Sequence, residues 1–379
     1  MRLSSQRNHR TALAVLPAAS FALVLCAFQG PVPTDIQLPG TQPLQVPALL
    51  NAGYCDNCHG GYNPAVEPAA LWRGTMMAQA TRDPLFWASL RIAEQDFGGS
   101  GDLCLRCHTP NGWIGGRSTP TNGSALAAGD EDGVSCHACH TLTNPDRSEH
   151  LGAQTAPFLA NDEAVPATGY YGSGMYVLWN GNQRLGPYSD ANAPHQTIQS
   201  SFHRESELCG TCHDVSNSAV GDLAHNFGAQ LALAAGTYSG IPGSQVAGKA
   251  AFNNQPYAYG MVERTFSEHQ AGALSTTLVS AYATLPAELR DGSIERAWQA
   301  ATASTPSGNY VDGTPRSFSC QTCHMRPTTG KGASQNSAPV RADLPRHDFV
   351  GANSWMPDVL QWLDAQGRLL IGGGLTSAQ

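Results

Sequence analysis

Lysine is almost missing from this chain of 379 residues. Lys249 and Lys331 are the only two, and charged residues of all kinds make up 13%, about half the usual share. The positive side chains are nearly all arginine, and the formal net charge is −8. Such a surface lacks the basic stripe that nucleic-acid binding needs and suits the docking of a basic partner. Long apolar runs are scarce as well. Only Thr11 to Phe28 approaches the ~20 residues needed to span a membrane, and Pro17 interrupts it. With 40 glycines and 25 prolines, the chain reads as loop-rich with modest regular structure.

The N-terminus supplies an address. Arg2, Arg7 and Arg10 precede the apolar stretch, the pattern of an export signal. Residues 1–27 are read as that signal, cut after Ala27, with an uncleaved anchor as the alternative. Bulky Leu25 before Cys26 argues against a lipid attachment site. Losing the signal removes three arginines and no acids, moving the formal charge from −8 to about −11. The expected location is the periplasm or the cell exterior, with tethering through the N-terminus if the signal stays. Residues 28–50, containing "PVPTDIQLPGTQPLQVP", read as a Pro-rich linker.

Cysteine is concentrated. Ten of the 11 cysteines fall in five copies of Cys-x-x-Cys-His: Cys55, Cys58 and His59; Cys104, Cys107 and His108; Cys136, Cys139 and His140; Cys209, Cys212 and His213; Cys320, Cys323 and His324. Zinc knuckles pair up, use four ligands per metal and have no need for a histidine directly after the second cysteine. Five is odd, and all five pairs carry that histidine. A disulfide framework or a thioredoxin-like dithiol leaves the histidines unexplained. On a helical turn, positions i, i+3 and i+4 share a face. Two thiols can then add to the vinyl groups of one porphyrin while the imidazole reaches its iron. The spacing therefore points to five haem c groups with five proximal histidines. Each porphyrin brings a large apolar surface that a chain short of core residues can pack against.

Five six-coordinate irons need five further ligands. Outside the leader, seven histidines lie beyond the motif positions: His137, His150, His195, His203, His225, His269 and His347. His347, in "LPRHDFVGANSW", is expected to close over a porphyrin. His195 and His203 precede the fourth motif eight residues apart, on roughly one side of an expected helix. His150 and His225 follow the third and fourth motifs. These five are the distal candidates. His137, between two attached cysteines, is expected at an exposed edge, and His269, amid polar residues, as a surface residue. No histidine lies between His59 and His108, so Met76 or Met77 is a candidate thioether ligand for the first haem, which would raise its potential.

Two helices are legible. Asp83 suits an N-cap, Pro84 the first helical position, and "LFWASLRIAEQD" runs to Gly98 and Gly99, with Phe86, Leu90, Ala93 and Phe97 on one face. The second runs near 293–303, through "SIERAWQAATA". Residues 224–262 read as loops and short strands. The motif starts are irregularly spaced, so one haem-organised domain is expected over 51–360, followed by a tail, 361–379, that is either mobile or a short strand pairing elsewhere. The fold class is mainly α with extensive loops and few short strands, a multihaem cytochrome c architecture.

Four segments, "WRGTMMAQATRDPLF", "SELCGTCHDVSN", "CQTCHMRP" and "RHDFVGANSW", together with the five motifs, make the region from about 50 to 360 resemble multihaem c-type cytochromes of the cytochrome c-552/4-like, cytochrome c-554-related group. The resemblance implies electron transfer through closely spaced, mostly bis-His haems. Relatives often carry histidine where Met76 or Met77 stands. The related pentahaem nitrite reductases replace the motif histidine of their catalytic haem by lysine, and all five motifs here keep histidine. The expected function is thus that of an electron carrier rather than an enzyme. It would hop electrons between haems and serve redox partner proteins such as other cytochromes or a membrane quinol-linked donor, with self-assembly into a cytochrome chain as a variant. The competing expectation is a multihaem oxidoreductase with one open haem acting on a small nitrogen or sulfur compound.

Overall fold

The structure is a computed structural model that describes residues 40–96, 98–153, 171–221, 259–351 and 354–376. The expected leader, Cys26, Phe97, His225 and most of 224–262 lie outside the described residues. Helix and loop dominate, and the strands are few and short.

The helices are α1 (Ala52–His59), α2 (Pro68–Arg73), α3 (Pro84–Asp96), α4 (Gly101–His108), α5 (Pro110–Ile114), α6 (Cys136–Cys139), α7 (Ser206–Gly210), α8 (Thr265–Ala271), α9 (Gly292–Ser304), α10 (Cys320–His324) and α11 (Met356–Ala365). Strands pair only in twos. β1 (Leu142–Thr143) and β2 (Val177–Leu178) are antiparallel, as are β5 (Val215–Gly221) with β6 (Tyr259–Glu263) and β7 (Pro327–Lys331) with β8 (Val340–Pro345). β3 (Arg184–Gly186) and β4 (Thr197–Gln199) are parallel.

Local chemistry sets the two long helices. Asp83 accepts the Leu85 N–H at 2.8 Å, Pro84 opens α3, and Gly99 follows its end in the left-handed region. Its inner face buries Phe86, Trp87 and Leu90 in the largest core cluster, with Leu105, Trp113, Phe202 and Phe266. The Trp87 indole N–H donates to the Thr81 carbonyl at 2.7 Å. Helix α9 buries Ala297 and Ala301, four residues apart on one face, and Trp298 stacks on Tyr282 at 4.5 Å.

Three expectations need correction. No helix joins His195 to His203: strand β4 lies between them, followed by one 3-10 turn at Ser201–Arg204. Ile198 and Thr197 are β-branched, and pairing with β3 wins over helical periodicity. Residues 40–50 are part of the fold rather than a linker. Thr41 is fully buried, its hydroxyl donates to Ala153 O and accepts from Leu178 N, and Val46 sits in the core. Gly40 has a positive φ of 105°, and a Cβ there would lie 2.5 Å from Tyr176 O, so only glycine lets this strand-like segment approach. The expected boundary at 360 falls inside α11, and the segment beyond it is anchored. Ile371 packs on the core, Gly372 O accepts from Arg82 Nε at 2.9 Å, and Asp364 accepts the N–H groups of Gly374 and Leu375.

Candidate functional site

Each Cys-x-x-Cys-His motif sits on one short helical segment. In α1, α4 and α10 both cysteines and the histidine are helical; His140 caps α6, and α7 gives way to a turn before His213. None of these helices exceeds 8 residues, too short to persist alone in water. Side-chain caps help two of them. The Ser135 hydroxyl accepts from Ala138 N at 3.2 Å, and the Ser319 hydroxyl from Thr322 N at 3.3 Å. At the fourth motif the ring of Phe266 lies where a Cβ on Gly210 would be, with a clash at 2.6 Å. The glycine of "CGTCH" is therefore a packing requirement that lets α8 lie against α7.

The folded chain brings the motif thiols together across long sequence separations. Cys55 lies beside Cys136, Cys107 beside Cys212, and Cys209 beside Cys320. Cys139 lies within electrostatic reach of Cys212 and Cys209. Burial pushes Cys104 up to about 11 and Cys139 up to about 12. Backbone contacts reinforce the fourth and fifth motifs: Cys320 N donates to Ser206 Oγ at 3.2 Å, and Gln321 Nε2 to Glu205 O at 2.5 Å. All ten described cysteines are free of disulfides.

Hydrogen bonds fix the tautomers of several imidazoles. A backbone carbonyl only accepts, so a ring nitrogen facing one must carry the proton, leaving the other nitrogen with its lone pair. His59 Nδ1 faces Gly332 O at 2.6 Å, His140 Nδ1 faces Leu185 O at 2.7 Å, and His324 Nδ1 faces Val350 O at 2.5 Å. Three motif histidines therefore present Nε2 unprotonated, the arrangement that orients a metal-bound imidazole. His347 does the same, with Nδ1 facing Pro345 O at 3.0 Å, and so does His195 with its neighbour Gln196 O at 3.2 Å. The paired thiols with their histidines suit covalently bound haem c, and among the described residues no group of three or more His, Cys, Asp or Glu is arranged to hold a bare metal ion.

Five histidines from distant parts of the chain gather in one place. The His59 and His195 ring centres are 6.3 Å apart, as are those of His140 and His347, while His203 lies 5.6 Å from His140. Two imidazoles trans on one metal, with bonds of about 2 Å, would place their ring centres roughly 6 Å apart. Burial holds His203 and His347 down to about 3 and lowers His59 and His140, so all four are neutral near pH 7. His203 differs in its bonding. Its Nε2 donates to Cys139 O at 3.1 Å, and its Nδ1 lies 3.0 Å from the Ser200 oxygen, whose proton goes to Glu149, so both nitrogens are covered.

The remaining candidates divide. His150 lies at the surface beside Trp179, with Nε2 on Gln199 O at 2.8 Å, apart from the gathered five. His137 is buried, against the expectation of an exposed edge: its Nδ1 accepts from Leu50 N at 2.7 Å, and burial lowers it to about 4. The segment taken for a linker is what covers it. Met76 and Met77 are half-buried in the turn after α2, where Met77 O accepts from Val134 N at 2.9 Å, two residues before the third motif.

His269, set aside in the sequence, comes to the fifth motif. Its Nε2 donates to Phe318 O at 2.9 Å, its Nδ1 is buried without a hydrogen-bond partner, and its charge would act on Cys320. Polar neighbours concealed it. The signal was Phe266, three residues earlier on the same helix face and fully buried.

Aromatic groups line the second motif. Phe86 lies flat on His108, with ring centres 4.1 Å apart at 7°. Arg106, inside the motif, is buried between Trp113 and Tyr176 at 4.5 and 5.3 Å. Its backbone carbonyl accepts the Tyr176 hydroxyl at 2.9 Å.

No curated protein and no solved structure matches the chain. Residues 54–141, spanning α1 to α6 and the first three motifs, match the family described as cytochrome c554 and c-prime. That similarity supports an electron-transferring haem protein of cytochrome c type, with covalently bound haem c as its cofactor.

Proposed function

We propose that the chain is an exported pentahaem c-type cytochrome that transfers electrons between covalently bound, mostly bis-His haems. The observation that carries this reading is the nearness of the motif thiols: first beside third, second beside fourth, fourth beside fifth, with the third within electrostatic reach of the fourth. Haems attached there would lie close together, as sequential one-electron transfer demands. When bound, each haem supplies a one-electron couple at its iron, with a potential set by axial ligand, burial and nearby charge.

The chain's own residues do the rest. Gly332, Leu185 and Val350 hold the Nδ1 protons of three proximal histidines and fix their orientation. His195 would serve as a further ligand beside His59 and His347 beside His140, and His269, whose charge acts on Cys320, would serve the fifth haem. His225, twelve residues after His213 in the sequence, is assigned to the fourth haem. Met76 and Met77 stay as alternatives for the first. His203, with both nitrogens covered, is a positioning residue that clamps Cys139. The acidic chain suits basic redox partner proteins in the periplasm or outside the cell.

The test is the low-temperature EPR spectrum of the air-oxidised holoprotein, with spins quantified against total iron and haems counted by mass. Five haems and only low-spin ferric signals are expected. A stoichiometric high-spin signal would mean an open iron and put an oxidoreductase acting on a small nitrogen or sulfur compound in place of the carrier.

A further inference from the structure

Beside the fourth and fifth motifs two arginines share one aromatic ring. The guanidinium carbons of Arg316 and Arg204 lie 4.0 and 4.1 Å from the ring centre of Tyr310. Arg204 is paired with Asp312 at 2.8 Å. No ion pair to Arg316 occurs among the described residues, although only 4% of it is exposed. Its Nε and Nη2 are buried without hydrogen-bond partners, and so is Nε of Arg204. The nearby Asp343 carboxylate is engaged with Val311 N at 3.0 Å.

A guanidinium stays charged at any pH a protein survives, so it cannot escape burial by neutralising. Asp343 acts on Arg316 by its charge but makes no bond to it, so a buried cation keeps unbonded donors, and a second arginine on the same ring adds repulsion. The free Nε and Nη2 of Arg316 form the fork that binds two oxygens of one planar anion. The position narrows the choice of anion. Arg316 stands four residues before Cys320, Arg204 stands five before Cys209, and these two motif helices touch through Cys320 N and Ser206 Oγ.

We propose that Arg316, with Arg204, binds the carboxylate of a haem propionate, on a haem held by the third, fourth or fifth motif. The proposal rests on the pentahaem reading. A small free oxyanion has the same chemistry and is the other source the test must separate.

The test uses the holoprotein and R316Q, R316K and R204Q variants, with haem-resolved reduction potentials measured by spectroelectrochemistry from pH 5 to 9. Removing a cation beside a haem favours the oxidised form. In R316Q one haem should shift to lower potential, changing its oxidised-to-reduced ratio about tenfold at a fixed potential, or about 59 mV. That potential should also gain a pH dependence as the released carboxylate titrates. R316K should keep most of the wild-type potential, and R204Q should repeat the R316Q shift at smaller size should R316Q fail to accumulate. Wild-type potentials and pH dependence in both glutamine variants would overturn the proposal. So would a Soret change on adding inorganic phosphate or sulfite to the wild type that R316Q loses, which would make the occupant a free anion. A haem count other than five in the wild type refutes the pentahaem reading instead, and the count is read independently of the potentials.

Discussion

Asp214 follows the fourth motif directly, and its side chain is fully buried 3.4 Å from Arg264, itself only 5% exposed. Its backbone carbonyl accepts from Ser173 N at 2.7 Å. Arg264 is the residue before α8, so this pair ties the helix carrying Phe266 and His269 to the fourth motif. Asp214→Asn keeps the shape and removes the charge, leaving the guanidinium buried without its counterion. Breaking one side of such a pair costs about 3–5 kcal/mol. For a chain of this size that is a fall in Tm of roughly 4–6 °C. The assay is thermal unfolding of the holoprotein followed by far-UV circular dichroism and by the Soret band. Arg264→Gln should cost a similar amount, and the double variant should lose much less than the sum, with a coupling energy of about 1–3 kcal/mol. A Tm drop under about 2 °C for Asp214→Asn, or strict additivity in the double variant, would refute the argument that desolvated charge holds α8 in place.

Phe86→Ala empties the space against His108 and Trp87 and should cost about 3–5 kcal/mol in unfolding experiments; a loss below 1 kcal/mol would mean the ring is not part of the core. Ser135→Ala and Ser319→Ala each remove a helix cap at a motif and should cost about 1 kcal/mol apiece, read from thermal midpoints, with Soret position unchanged. His269→Leu should convert one low-spin haem to high spin in quantified EPR; an unchanged low-spin count would remove His269 from the ligand set. Replacing Met76 and Met77 together by leucine should leave every haem potential in place if His195 serves the first haem, while a downward shift of one potential would hand that role to a methionine.

The chemistry of attachment was legible because it is local. Five consecutive-residue motifs each fit one helical turn, and their spacing needs no tertiary information. The cap at Asp83 and the buried alanines of α9 were readable for the same reason. The gathering of His59, His140, His195, His203 and His347 was not, since they meet only through loop closures and a parallel strand pair. Strand β4 shows the failure in detail: a spacing of eight residues suggested a helix, and a three-residue pairing overruled it. Proline-rich 40–50 looked like a spacer because prolines hide burial, yet Thr41 and Val46 are core residues. His269 was lost because its own neighbours are polar while its helix face is not.

On the pentahaem reading, the nearness of the thiols would amount to a circuit diagram. Drawn as nodes, the fourth motif adjoins the second and fifth and lies within electrostatic reach of the third, and the first hangs from the third. Such a graph is a branched tree with one junction. Disabling the second or fifth node would merely shorten a branch, whereas disabling the fourth would cut the molecule into three islands with no conducting path between them. On that reading, charge accepted at one tip would leave at either of two others, and every route from tip to tip would run through Cys209, Cys212 and His213.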